Sequence, residues 1–108
     1  MAEELTQLTC EACKGGVDPL AGEELATYAS YVPEWQVVEE HHLTRTFKFR
    51  NFVEALAFVN RVGELAEAQG HHPDILLGWG KVEITLRTHK IDGLHANDFI
   101  LAAHIDQL

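Results

Sequence analysis

Apolar residues recur along this chain with two different periods. The shorter is cleanest from Lys81 to His89, where Val82, Ile84 and Leu86 share one face and Glu83, Thr85 and Arg87 the other. Such alternation predicts a strand buried on one side. Trp35, Val37 and Val38 begin an earlier β-prone run, and Leu43 to Arg50 supplies a partner in which Phe47 and Phe49 alternate with Thr46, Lys48 and Arg50. Glu40-His41-His42 between them predicts a hairpin turn. Ile75-Leu76-Leu77 forms a short apolar run, joined to the Lys81 strand across Gly78-Trp79-Gly80.

The longer period marks helices. Ala21 to Tyr31 carries Leu25, Tyr28 and Ala29 at helical spacing, and Pro33 stops it. Asn51 to about Ala68 is the clearest case, with Phe52, Leu56, Val59, Gly63 and Ala66 predicted as one stripe. Asn51 is a natural N-cap, with Glu54 placed to reach back to the cap's free N–H, and Gly70 marks the exit. Gly93 opens a second turn, and His95 to Leu108 reads as a closing helix with Phe99, Ala102, Ala103 and Ile105 apolar. The order α-β-β-α-β-β-α predicts an α+β fold: a four-stranded antiparallel sheet with three helices packed on one face. Residues 1–18, ending in Gly15-Gly16 and Asp18-Pro19, read as an irregular leader to a single domain over 19–108.

Length and charge narrow the partners. A chain of 108 residues that is 46% hydrophobic suits one domain with a high surface-to-volume ratio. Self-association would relieve that shortage of burial. Seventeen acids against eight bases leave a net charge of −9, and no basic run offsets it. Duplex nucleic acid and membrane surfaces are therefore disfavoured, and small molecules or other proteins are the expected partners. No stretch approaches the ~20 apolar residues that span a bilayer. Met1 to Leu5 carries acids where a signal peptide carries bases, so the expected location is cytoplasmic. Cys10-Glu11-Ala12-Cys13 has redox or half-zinc-site spacing, but no second pair follows and no strand leads into it. These cysteines are read as incidental or weakly structural.

The remaining chemistry lies in histidine. Of the seven, His71 and His72 sit at the junction of the long helix and the third strand, and Pro73 stiffens that junction. The hairpin arrangement brings His89, at the end of the fourth strand, back beside them, so that three imidazoles line one small cleft. An imidazole both donates and accepts a proton near neutrality. With no triad nucleophile, phosphate loop or nucleotide fingerprint in the chain, proton-transfer chemistry such as dehydration fits best. His41-His42 reads as solvated turn surface and His104 as packing or interface. A metal site ranks low, because the histidine pair lacks i, i+4 spacing.

Glu67-Ala68-Gln69-Gly70-His71-His72-Pro73, followed by Lys81-Val82-Glu83-Ile84-Thr85-Leu86-Arg87-Thr88-His89, resembles the signature of the pterin-4a-carbinolamine dehydratases. The likeness extends through Gly93-Leu94, Asp98 and Leu101-Ala102, and back to Trp35 and Phe47 to Phe52, covering roughly residues 20–108. It implies an α+β fold with four strands and three helices, and catalytic histidines at His71, His72 and His89. Glu67 and Asp98 would be supporting acids, Thr88 and Pro73 would shape the pterin site, and Trp35 would close one side. The chain departs from the pattern at Ile75, Leu77 and Gly80, where many members carry an aromatic and asparagines. His95 replaces the usual Ser, which predicts a weaker cap on the last helix.

The resemblance further implies a hydro-lyase that converts 4a-hydroxytetrahydropterin to quinonoid dihydropterin in tetrahydrobiopterin recycling, without metal or redox cofactor. His71 and His89 would approach C4a from opposite sides to donate the proton. His72 would orient the pterin and assist proton removal, with Glu67 and Asp98 setting imidazole tautomer and charge. A homodimer or homotetramer is implied, with a functional link to a pterin-dependent aromatic amino acid hydroxylase. Two other readings compete: a non-catalytic binding or assembly module on the same fold, resembling a transcription coactivator or an enzyme-assembly factor, and a Cys/His zinc domain.

Overall fold

The computed structural model describes residues 5–8 and 17–108; Cys10 and Cys13 lie outside the described residues. Its elements are α1 (Gly22–Ser30), β1 (Gln36–Val38), β2 (His42–Lys48), α2 (Phe52–Gln69), β3 (Asp74–Gly78), β4 (Lys81–Leu86), a 3₁₀ turn (His89–Ile91) and α3 (Ala96–Asp106). The expected three helices, four antiparallel strands and element order are all present. The strands lie in the order β1-β2-β4-β3, so the two hairpins meet along a central β2–β4 ladder.

Register decides which residues face the helices. Leu43 pairs with Leu86, Arg45 with Ile84 and Phe47 with Val82, and Leu43, Leu86, Ile84 and Val82 are wholly buried. Directly opposed residues share a face, so these rows line the core side. Thr44, Thr46 and Lys48, opposite Thr85, Glu83 and Lys81, form the polar side. Onto the core side packs α3, buried from Asn97 through Ala103 and again at Ile105. At the β3–β4 turn Gly80 passes so close to β2 that a Cβ there would stand 2.8 Å from the Phe49 carbonyl oxygen. Only glycine fits without displacing that backbone.

The face that α2 buries differs from the predicted one. Ala55, Phe58, Val62 and Ala66 are buried, while Phe52, Val53 and Leu56 are 43%, 75% and 40% exposed. Apolar residues span a wide arc of this helix, and packing selects its centre. Phe58 fits against Phe47 and Phe49, with ring centroids 4.7 and 5.1 Å apart. The cap differs in detail as well. Asn51 accepts from the Glu54 N–H at 2.9 Å as expected, but the Glu54 carboxylate reaches the N–H of Arg50 instead of that of Asn51.

Arg45 is the one core-row side chain carrying charge. Its guanidinium lies 4.4 Å from the Phe47 ring centroid and donates to Asp106 Oδ1 at 2.6 Å. The Trp35 indole N–H donates to the same oxygen at 2.8 Å. Burial pushes the Asp106 carboxyl above its ordinary value, against the opposing pull of Trp35 and Arg45. Of residues 5–8, Leu5 joins the core, and His104 Nε2 donates to the Leu8 carbonyl at 2.8 Å.

Candidate functional site

The helix exit places the first histidine. Gly70 adopts φ 65°, ψ 25°, in the left-handed region that an L side chain avoids. The His71 N–H then bonds the Ala66 carbonyl, and the Gly70 N–H the Glu67 carbonyl. This pair of reversed bonds is the Schellman termination, and it fixes where the chain leaves the helix. His71 is held at that point, three residues before β3 begins.

Its side chain is fastened by the last helix. His71 Nε2 lies 2.6 Å from Asp98 Oδ1, with the imidazole 11% exposed and the carboxylate wholly buried. Asp98 Oδ2 accepts from the Thr88 hydroxyl at 2.9 Å and the His95 N–H at 3.0 Å. An ionised carboxylate only accepts, so this arrangement puts the proton of the neutral ring on Nε2 and leaves Nδ1 as a lone pair. Among the described residues no group bonds that Nδ1. A ring oriented through one nitrogen and open at the other is equipped for proton transfer.

His72 is held differently. Its Nε2 lies 2.7 Å from Glu67 Oε2, one turn back on α2, but ring and carboxylate are 61% and 81% exposed. Pro73 is half-buried and immediately precedes β3. Thr88 is buried, and its backbone bridges to Gly93 on both sides, closing the loop that holds the 3₁₀ turn.

His89 does not terminate β4, as its alternation predicts. That strand ends at Leu86, and His89 opens the 3₁₀ turn, exposed and without an imidazole bond among the described residues. The Thr88–Gly93 bridge is the reason: it folds the chain back before the ladder reaches His89. His89 still adjoins Thr88, whose hydroxyl shares Asp98 with His71.

The structure thus joins His71, Thr88 and Asp98 by direct bonds and His72 to Glu67. Trp35 stands apart, 5% exposed and bonded to Asp106. Asp106 lies eight positions beyond Asp98 on α3, roughly 12 Å along the helix.

Two features escaped the sequence pattern. His95 does cap α3: its Nδ1 accepts from the Asn97 N–H at 3.1 Å, and with Asp98 it completes a capping box. The spacing of a polar residue from an acid three positions later was the available signal, obscured because histidine is an unusual cap. His41 is also more than a solvated turn residue. It meets His42 between Nδ1 atoms at 3.0 Å and Asp92 Oδ1 at 2.8 Å, while Arg87 donates to the same Asp92 oxygen at 2.9 Å. The His41 bond, more than Arg87, holds the Asp92 carboxyl below its ordinary value. Among the described residues no three His, Cys, Asp or Glu side chains are grouped to hold a metal ion, and no helix is long and apolar enough to cross a membrane.

Comparison with known proteins shows the family. The family profile described as "Pterin 4 alpha carbinolamine dehydratase" matches residues 18–108. A protein of Rubrobacter xylanophilus named "Putative pterin-4-alpha-carbinolamine dehydratase" is 64% identical over 105 residues, spanning 97% of this chain and 98% of its own. One of the same name from Alkaliphilus metalliredigens is 53% identical, spanning 95% and 94%. Among solved structures, a "transcriptional coactivator/pterin dehydratase" from Brucella melitensis superimposes with TM-score 0.77 at 28% identity, over 83% of this chain and 97% of that one. A "pterin dehydratase-like protein", described as a RuBisCO assembly factor in the alpha-carboxysome, gives TM-score 0.59 at 26% identity, over 68% and 87%.

Proposed function

Because this chain belongs to the pterin-4a-carbinolamine dehydratase family, we propose that it removes water from a 4a-hydroxytetrahydropterin by histidine acid–base catalysis. The observation that carries the proposal is the His71 ring, bonded through Nε2 to the buried Asp98 and open at Nδ1.

In the substrate a hydroxyl on C4a adjoins N5–H. The N5 lone pair forms the C4a=N5 bond as the C4a–O bond breaks. The departing oxygen takes a proton and leaves as water, and N5 gives up its proton to yield the quinonoid dihydropterin. One acid and one base suffice. As the imidazolium, His71 keeps its Nε2–H on Asp98 and, with His89 across the loop, gives its Nδ1 proton to the oxygen, while His72 receives the proton from nitrogen and orients the ring. Asp98 and Glu67 hold the two imidazoles through their Nε2 atoms. Thr88 and Pro73 shape the pocket wall, and general acid–base help of this kind is worth ~10²–10⁴-fold.

The same reading makes the protein cytoplasmic and its task the recycling of tetrahydrobiopterin, in functional partnership with a pterin-dependent aromatic amino acid hydroxylase. It also makes the protein a homo-oligomer, a view supported by the exposed Phe52, Val53 and Leu56 on one turn of α2. A second reading, assembly module, is favoured by the likeness to the assembly factor. Ultraviolet absorbance of freshly made 4a-hydroxytetrahydropterin separates the two. Acceleration over buffer that weakens in His71→Ala supports the dehydratase; a rate equal to that of buffer leaves the module.

A further inference from the structure

We infer that His95 is a positioning residue for the proposed dehydration, its unprotonated imidazole capping α3 and thereby holding Asp98 against His71. The inference rests on the dehydratase reading for its catalytic consequence, and on the local geometry for the rest.

His95 grips the first turn of α3 at three atoms. Its carbonyl accepts from the Asp98 N–H at 3.0 Å, its own N–H donates to Asp98 Oδ2 at 3.0 Å, and its Nδ1 accepts from the Asn97 N–H at 3.1 Å. The third bond exists only while Nδ1 carries a lone pair. A Ser, Thr or Asn in this position accepts at any pH, since none of them titrates in the ordinary range. Histidine does not. A proton on Nδ1 sets N–H against N–H across 3.1 Å, and the ring must swing away from the helix end.

What lies beyond that turn gives the cap its reach. Asp98 is buried, and its carboxylate is shared by the His71 imidazole, the Thr88 hydroxyl and the His95 N–H, so a loosened first turn moves all three partners together. The charged or titratable groups around His95 in this network are Asp98 on its own helix and, through Asp98, His71 at the α2–β3 junction. A proton on the His95 ring therefore loosens the anchor of His71 through Asp98.

Three proteins test this: wild type, His95→Ser, which keeps an acceptor that does not titrate, and His95→Ala, which keeps none. Turnover and the NMR signals of the Asn97 amide and the His71 ring are followed from about pH 8 to about pH 5. In wild type the Asn97 and His71 signals should move with the titration of His95, and turnover should fall to roughly one third to one tenth of that of His95→Ser at the acid end. His95→Ala should be reduced by a similar factor even at about pH 8, with His95→Ser rescuing it. An acid limb identical in wild type and His95→Ser, or Asn97 and His71 signals indifferent to His95, overturns the inference. A wild type no faster than buffer removes the dehydratase reading alone, because the coupled NMR titration reports the positioning role without turnover.

Discussion

Asp98 and His71, 27 positions apart in the chain, meet at 2.6 Å with the carboxylate completely withdrawn from solvent. The contact is expensive to leave half-made. Removing the acceptor strands the Thr88 hydroxyl, the His95 N–H and the His71 ring, and each buried orphan donor costs about 1–3 kcal/mol. Asp98→Ala is therefore expected to lose at least about 3 kcal/mol in urea unfolding. Asp98→Asn keeps the shape but turns one acceptor into a donor; turnover should fall by about 10²-fold with a smaller loss of stability.

His71 and His72 are adjacent yet unequally held, which sets an order for their variants. His71→Ala removes the fixed ring and should lower turnover by about 10²–10³-fold. His72→Ala removes an exposed ring whose exposed partner holds it weakly, and a loss nearer tenfold is expected. Single-turnover assays of both variants check this. A larger loss in His72→Ala would move the main proton-transfer role to His72.

Packing on α2 gives a test of the corrected stripe. Phe58→Ala should cost about 3–5 kcal/mol in thermal or urea unfolding, because that ring fills the space against Phe47 and Phe49. Phe52→Ala should leave unfolding of the single chain within about 0.5 kcal/mol. Its effect should appear in light scattering, as a shift toward smaller species. Equal destabilisation by the two variants would restore the stripe expected from the sequence.

Stability should depend on pH with opposite signs at two carboxylates. Asp92 is held below its ordinary value of 3.8, first by its bond to His41, so the folded state binds fewer protons than the unfolded one. Its contribution is present above that ordinary value and is lost as pH falls through the lowered one. Asp106 is raised above 3.8 by burial, so its contribution is present at low pH and lost as pH rises through the raised value. Urea midpoints from about pH 3 to about pH 7 should show wild type losing its advantage over Asp92→Asn on acidification, with added salt shrinking the difference. Over the same range wild type should lose ground to Asp106→Asn as pH rises. The reverse slopes would contradict both assignments.

Much of this was legible before any coordinate. Alternation in Val82, Ile84 and Leu86 and the Gly70 exit lie in local sequence, and local geometry follows them. The His71-His72-Pro73 run was readable for the same reason. What could not be read required a partner from elsewhere in the chain. Phe58 became the centre of the α2 face only because two phenylalanines of β2 and its exit lie opposite. Trp35 is drawn to Asp106 by a hydrogen bond across 71 positions, which no period encodes. His89 was displaced from its strand by the Thr88–Gly93 bridge, and the His95 cap needed its ring turned onto Asn97.

The three donors to Asp98 come from the exit of α2, the loop after β4 and the entrance of α3. Folding must bring all three segments together before the carboxylate can be sealed from water, and the contact to His71 closes the longest of the loops. A partly folded chain with a paired sheet but an undocked α3 would therefore carry every histidine of the site and lack the anchor for His71. Recovery of activity on refolding reports the docking of α3, the step at which this side chain acquires a fixed direction.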